Sequence, residues 1–296
     1  MNKQYATLCK KAVMHGPLES LFCCIGDPVV GNPTQLMMEA TFESMLFPAR
    51  YLTCTVGKED LESAIQGMKA LGFAGGNVTA PHKVEVIRHL DRLTESAQLS
   101  GAVNCIIKDD DGSLIGDNTD GKGFLRAIQE IQSVAGMRVL VLGAGGAARA
   151  IITELALHGA EHITVANRSD KRAQDILDTI GKKVPTSLER IPFDGSLTIG
   201  AEYDLVVQAT SVGLFDPEGG FDITWEPKRS GTRIAADVVF NPIETQFLKG
   251  AESAGATCVD GLGMLVYQGA VGISNWTGRD ADCKIMRTAL EEAFTL

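Results

Sequence analysis

The chain has 296 residues, 45% of them hydrophobic, with 27 Lys and Arg against 37 Asp and Glu for a formal net charge of −10. The length suits two modest domains and the composition is that of an ordinary globular protein. The acidic balance excludes general binding to nucleic acid or anionic membrane, so an anionic ligand must be drawn in locally, by a placed basic side chain or a helix N-terminus.

The N-terminus, Met1-Asn2-Lys3-Gln4-Tyr5-Ala6, lacks the apolar stretch of a secretion signal. Leu21 to Ile25 reads as a strand closed by the turn Gly26-Asp27-Pro28, and Gln35 to Phe47 as a helix. Leu61, Ala64, Ile65 and Met68 recur at helical spacing, and Gly72 ends that helix. A strand over Phe73–Val78, a short helix over Val84–Leu90 and strands over Ala102–Ile107 and Ser113–Gly116 follow. This alternation predicts an α/β layer on a mostly parallel sheet. Phe124, Leu125, Ile128 and Ile131 mark the next helix, with Gly136 as its stop. Met137–Leu142 is a strand, Ala147–Leu157 a helix, and His162–Ala166, Asp204–Ala209 and Ile234–Val239 further strands. Met264–Ala270 and Asp282–Phe294 read as helices that return to the first domain. The longest apolar region, Val139 to Leu157, is broken by Arg149 and Glu154 and is no membrane span.

The seven cysteines, Cys9, Cys23, Cys24, Cys54, Cys105, Cys258 and Cys283, are odd in number and form no C-x-x-C. Reduced thiols in a cytoplasmic protein are expected, with Cys23 and Cys24 packed in a strand. The five histidines show no metal-ligand spacing, so no metal is expected.

Gly143-Ala144-Gly145-Gly146-Ala147-Ala148 follows a strand and opens a helix, and its Gly143-x-Gly145-x-x-Ala148 spacing fits a dinucleotide-binding turn. Gly143 allows the tight turn, Gly145 lets backbone approach a pyrophosphate, and Ala148 permits close packing of helix on strand. The free N–H groups of the helix N-terminus then face the phosphates. The next strand ends Ala166-Asn167-Arg168-Ser169-Asp170-Lys171-Arg172, a basic run where an NAD site carries an acid. Arg168 and Arg172 suit a 2′-phosphate, with Ser169 as a further donor, which favours NADP over NAD. The alternative is a solvated helix start with Ser169 as its N-cap.

Three further segments bring a lysine, an amide and a carboxylate into range of one pocket: Asn77-Val78-Thr79-Ala80-Pro81-His82-Lys83, Gly101-Ala102-Val103-Asn104, and Asp117-Asn118-Thr119-Asp120-Gly121-Lys122-Gly123-Phe124. A lysine and an aspartate sharing one hydroxyl would orient it and shuttle its proton while hydride leaves the carbon. By spacing alone Lys83 and Asp120 are equally ordinary surface charges. His82 reads as a histidine at a helix start, turned away from the chemistry.

These motifs, in this order, resemble the shikimate dehydrogenase family. Asp204-Leu205-Val206-Val207-Gln208-Ala209-Thr210-Ser211-Val212-Gly213, Asp237-Val238-Val239-Phe240-Asn241-Pro242 and Gly261 to Ala270 extend the resemblance over roughly Gly26 to Gly278. It implies an α/β substrate domain (1–121 with 264–296), an NADP-binding Rossmann domain (122–263) and a cleft between them. It implies reversible NADP-linked oxidation of shikimate to 3-dehydroshikimate, a step toward chorismate and the aromatic amino acids. By the same resemblance Lys83 is the general acid/base and Asp120 its partner, while Thr79, Asn104 and Gln268 bind substrate. Gly143, Ala144, Gly145, Gly146, Ala147, Asn167, Arg168, Ser169 and Arg172 hold the cofactor, with Glu95, Val238 and Gly261 beside it. The partner is then a small hydroxy acid, and a homodimer is compatible with the reading.

The chain departs from the family pattern where two serines hold the substrate carboxylate. It has Gly31-Asn32-Pro33-Thr34-Gln35, so Asn32 and Thr34 stand for the serines and Gln35 for a proline. Phe240 stands where a tyrosine commonly adds a hydroxyl, and Gln208 replaces an asparagine. Asn32 and Thr34 still donate hydrogen bonds and Phe240 does not. Shikimate, quinate and other cyclic hydroxy acids therefore all stay open as substrates. A catalytically silent NADP-binding sensor is the third reading, and retention of both Lys83 and Asp120 speaks against it.

Overall fold

A computed structural model describes residues 19–295. The reading of the extreme N-terminus and of Cys9 lies outside the described residues. The backbone divides into two compact units, one taking the chain up to Leu93, Val103–Asp117 and Gly272 onward, the other Thr94–Ala102 and Asn118–Val271. The segment Thr94–Ala102, expected with the substrate domain, thus groups with the cofactor half, and the division at the N-terminal side falls at Asn118.

In the first unit the chain forms β1 (Ser20–Gly26), α1 (Thr34–Ser44), β2 (Ala49–Thr55), α2 (Leu61–Leu71), β3 (Gly75–Val78), β4 (Arg92–Leu93), β5 (Cys105–Lys108) and β6 (Leu114–Asp117), with α3 (Glu95–Ser100) leaving for the second unit between β4 and β5. The sheet order is β2-β1-β3-β5-β6-β4. β1 is the buried centre, an apolar run parallel to both neighbours, as a strand covered on both faces must be. The sheet is mixed rather than mostly parallel, because β5 runs antiparallel to β3 and β6. Its link to β6 is the tight turn Asp109–Gly112, closed by the Gly112 N–H to the Asp109 carbonyl at 2.9 Å, and so short a connection joins only antiparallel strands. The predicted helix over Val84–Leu90 is a 3₁₀ turn over Glu85–His89.

The second unit contains α4 (Thr119–Gln129), β7 (Arg138–Leu142), α5 (Gly146–Leu157), β8 (His162–Asn167), α6 (Asp170–Ile176), β9 (Ser187–Pro192), β10 (Ser196–Ile199), β11 (Leu205–Gln208), β12 (Asp222–Trp225), β13 (Ile234–Asp237), α7 (Gln246–Ser253), β14 (Thr257–Val259) and the start of α8 (Gly261–Thr277). Its main sheet, β14-β13-β11-β7-β8-β9, is wholly parallel. Val139 and Val141 of β7 enter one core with Ile151 and Ile163, and Leu140 and Leu142 enter the other with Val206 and Ala235. Both faces are therefore covered. From β7 the chain winds outward through β8 and β9, then returns to β11 and winds the other way. The crevice at the carboxyl ends of β7 and β11 is the switch point where such sheets take ligands. α4 stops at Gln129, short of the predicted Gly136, and Ile131 is exposed.

The last helix, α9 (Cys283–Thr295), packs on α1 in the first unit. Trp276 anchors the same region: its ring stacks on Phe22 at 4.9 Å and its indole N–H donates to the Ile106 carbonyl at 2.9 Å. A Cβ on Gly75 would stand 2.6 Å from that indole.

Candidate active site

In the first unit, β1 and β3 run parallel with Ile25 opposite Val78, so the turns after them leave from one edge. There the Thr79 N–H donates to the Ile25 carbonyl at 2.9 Å and the Asp27 N–H to the Ala80 carbonyl at 3.0 Å. The backbones approach so closely that a Cβ on Gly26 would lie 2.4 Å from Thr79 Cγ2. Lys83 is pinned by the Val103 N–H on its carbonyl at 2.8 Å, and the Asn104 carbonyl accepts from the Val78 N–H at 2.8 Å and Asn77 Nδ2 at 3.1 Å. Thr79, Lys83 and Asn104 are thus brought to a common edge by main-chain bonds. His82 is buried, with Nε2 on the Val56 carbonyl at 2.7 Å, so its ring serves the fold.

The turn that departs from the family pattern leaves the same edge. Asn32 Oδ1 accepts the Thr34 N–H at 2.9 Å, and Asn32 Nδ2 faces Cys24 Sγ at 3.7 Å. The amide thereby caps an orphan donor at the start of α1. Thr34 is buried as the first residue of that helix. Burial pushes the Cys24 thiol up to about 11, against the pull of the nearby Lys83 charge, which leaves the thiol protonated and inert.

In the second unit Asp120 opens α4. Asn118 caps that helix by accepting the Asp120 N–H at 3.2 Å, while its Nδ2 donates to Ser100 Oγ at 3.2 Å and the Ala102 carbonyl at 3.1 Å. Gln268 is tied to the same helix start: Thr119 Oγ1 donates to Gln268 Oε1 at 3.4 Å, and Gln268 Nε2 donates to the Leu265 carbonyl at 3.0 Å. α4 and α8 cross where Gly123 would set a Cβ 2.4 Å from the Gln268 nitrogen. Asp120 and Gln268 are held together.

At the carboxyl ends of the parallel strands lies a cavity of about 740 Å³, lined by Gly143, Ala144, Gly145, Gly146, Ala147, Asn167, Arg168 and Arg172 on one side. Gly143 has φ 115°, and a Cβ there would meet the Ala209 carbonyl oxygen at 2.8 Å, so only glycine fits. Gly145 and Gly146 differ: no protein atom lies within 4 Å of where their Cβ atoms would stand. The protein leaves that space over the N-terminus of α5 open, the shape a pyrophosphate needs. Arg168 and Arg172 are exposed and have no ion pair among the described residues, whereas the neighbouring Asp170 pairs with Arg190. Ser169 caps α6, accepting the Arg172 N–H at 3.4 Å, which is the alternative role expected for it.

The rest of the lining comes from the loops that follow β9, β11 and β13. Val238 lines the cavity as expected of a cofactor residue, and Phe240, expected at the substrate, lines it too. Glu95 is exposed in the first turn of α3 and Gly261 opens α8, and both lie outside the lining. A Cβ on Gly261 would strike the Val239 carbonyl oxygen at 2.2 Å, so packing accounts for it. Sequence reasoning missed Phe193, Asp194, Gly195, Thr210, Leu214, Gly220 and Phe221. Asp194-Gly195 is a turn signal, and nothing in the sequence ties it to a ligand. Gln208 is buried and braces the loop after β11, its Oε1 accepting the Thr210 N–H at 2.5 Å and its Nε2 donating to the Val212 carbonyl at 3.0 Å.

A wholly parallel, doubly wound sheet with an open glycine turn and unspent arginines defines a dinucleotide-binding α/β protein. The chain belongs to the shikimate dehydrogenase family. Family models described as the shikimate dehydrogenase substrate binding domain, shikimate/quinate 5-dehydrogenase and the shikimate 5′-dehydrogenase C-terminal domain match residues 24–106, 126–214 and 261–291. It is 41% identical to the shikimate dehydrogenase (NADP(+)) of Lysinibacillus sphaericus (strain C3-41), over 88% of this chain and 93% of that protein. Among solved structures, the 5-ketofructose reductase of Gluconobacter sp. strain CHM43 is 43% identical, with a TM-score of 0.89 over 94% of this chain and 100% of that one. The shikimate 5-dehydrogenase of Thermus thermophilus, in complex with NADP(H) and shikimate, is 32% identical, with a TM-score of 0.81 over 93% and 99%.

Proposed function

We propose that the chain is an NADP-dependent shikimate dehydrogenase, an oxidoreductase that interconverts shikimate and 3-dehydroshikimate on the route to the aromatic amino acids. The observation that carries the reading is the cavity over Gly143–Ala147, which leaves room for a pyrophosphate and presents Arg168 and Arg172 for a 2′-phosphate. NADP, when bound, accepts hydride from the substrate carbon or returns it. Lys83 takes the proton from the substrate hydroxyl during oxidation and gives it back during reduction. Asp120 is the second member of the proton relay, its place at the start of α4 supported by Asn118. Thr79, Asn104 and Gln268 hold the remaining ring oxygens. Hydrogen bonds between neutral groups of this kind contribute about 0.5–1.5 kcal/mol each, so several together fix a small polar ring. We place the enzyme in the cytoplasm, consistent with free thiols at the six described cysteines. No described helix is long and apolar enough to cross a membrane.

A second reading, a reductase of an uncharged polyhydroxy ketone, is favoured by one observation. The Asn32 side chain is engaged within the protein, its Oδ1 accepting the Thr34 N–H and its Nδ2 donating to Cys24 Sγ at 3.7 Å, where a carboxylate-binding turn keeps its donors for the ligand. The 5-ketofructose reductase similar to this chain has such a substrate. Initial rates with shikimate or quinate and NADP⁺, and with 5-ketofructose and NADPH, each repeated with NAD(H), separate the readings. Shikimate with NADP⁺ is expected to give the highest kcat/KM. Faster reduction of 5-ketofructose establishes the second reading, and inactivity toward every member of the panel removes both. Lys83→Ala should lower kcat by about 10²–10⁴-fold, the usual cost of losing a general acid/base, with NADPH binding intact. A variant that turns over normally would remove the proton role.

A further inference from the structure

One aromatic ring in the second unit is held where neither packing nor backbone preference would put it. Phe215 has φ 58°, in the left-handed region, and is 68% exposed. A bulky residue is an outlier there, and such strain persists only where the surroundings impose it. They do so. The Phe215 N–H donates to the Asn241 carbonyl at 2.8 Å, the Asp216 N–H to the Gly213 carbonyl at 3.1 Å, and Gln246 Nε2 to the Pro217 carbonyl at 3.0 Å. Gln208 braces the same loop from below. The loop thus fixes the ring, yet most of it faces solvent.

Its one aromatic neighbour among the described residues is Phe240, met edge-on at 6.2 Å and 88°. Phe240 and Leu214, which flank it, both line the dinucleotide cavity, and Phe215 stands at the margin beside them. This margin follows β11 and β13, whereas Arg168 and Arg172 follow β8, on the far side of β7. The ring is therefore at the opposite end of the cavity from the arginines. We propose that Phe215 is a ligand-contacting residue that covers the nicotinamide end of the cavity and is buried against that half of NADP(H) on binding. The proposal rests on the NADP reading above. It explains why strain and exposure coincide at one residue: the ring is placed in advance for a partner that supplies its other face.

The test is calorimetric titration of NADPH and of its nicotinamide-free fragment, 2′-phospho-ADP-ribose, into wild type, Phe215→Gly, Phe215→Asn and Phe215→Tyr. Glycine and asparagine both accept the left-handed backbone, so neither should lower the melting temperature of the ligand-free protein. Phe215→Gly and Phe215→Asn should weaken NADPH about ten-fold, the scale of one lost aromatic contact, and leave the fragment unchanged. Phe215→Tyr should bind both ligands like wild type. Unchanged NADPH affinity in the glycine and asparagine variants overturns the proposal. Equal weakening of both ligands also overturns it, since the ring would then serve only the loop. If wild type binds neither ligand, the NADP reading itself fails and takes the proposal with it.

Discussion

Asp237 shows how one residue ties pH to structure. It ends β13 with its carboxylate buried, accepting Thr245 Oγ1–H at 2.6 Å and the Val239 N–H at 2.8 Å. Burial outweighs these donors and pushes the carboxyl up to about 6. A raised carboxyl stabilises the fold fully below its unfolded value near 3.8, and the contribution is lost as pH rises through about 6. The swing is roughly 3 kcal/mol at most. Asp237→Asn, which cannot ionise, should therefore gain on wild type between about pH 4.5 and 7.5 by about 1–3 kcal/mol in urea unfolding; a pH-independent gap would show that the carboxyl does not titrate there. Asp237 is visible in the sequence only as the start of a family motif, because its burial depends on the neighbouring strand β11, whose Gln208 stands opposite it. Gly143 is legible for the opposite reason, since its tight turn needs glycine, whereas Lys83 and Asp120 are read only through the family resemblance. Nothing in the sequence reveals that Asn32 spends its amide on the start of α1.

At the scale of elements, the choice of cofactor falls, under the proposed function, to the junction between β8 and α6. It presents two exposed guanidinium groups, with the nearest acid already paired to Arg190. Replacing Arg168 and Arg172 together by serine should raise KM for NADPH about 10- to 100-fold, from the loss of charge-assisted bonds to the 2′-phosphate. KM for NADH should change little, as NADH lacks that group. A parallel loss for both cofactors would assign the arginines to the fold. The strands around this junction are legible as apolar runs because the parallel sheet buries both their faces. β2 and β9 are not. They are edge strands, reading Ala-Arg-Tyr-Leu-Thr-Cys-Thr and Ser-Leu-Glu-Arg-Ile-Pro, the first largely half-buried and the second largely exposed, and only their long-range neighbours make them strands. The apolar spacing overextends α4, because Ile131 continues the pattern after the helix has ended, with its side chain exposed.

For the whole molecule, the division into units is not a division into consecutive halves. The first unit is completed by Gly272 onward, with α8 contributing its first residues to one unit and its last to the other. Trp276 is the anchor of that return, stacked on Phe22 and bonded to Ile106. Trp276→Ala should therefore destabilise the first unit by roughly 3 kcal/mol, as loss of a large aromatic does. On heating, turnover should then fail before NADPH binding does. Simultaneous loss of both would show that the units melt as one.

The discontinuity also has a temporal side. Chains leave the ribosome from the N-terminus, and domains generally fold as they emerge. Here β1 to β6 are made first but must wait for Trp276 and α9, so the earlier-made unit is the later one to be finished. The cofactor-binding unit, whose last residue is Val271, can close while β1 still exposes the face that Trp276 will cover. For that interval the nascent chain covers Phe22 only with Phe42 of α1 and leaves bare the apolar surface meant for Trp276, the stage of its life at which a chaperone has most to hold.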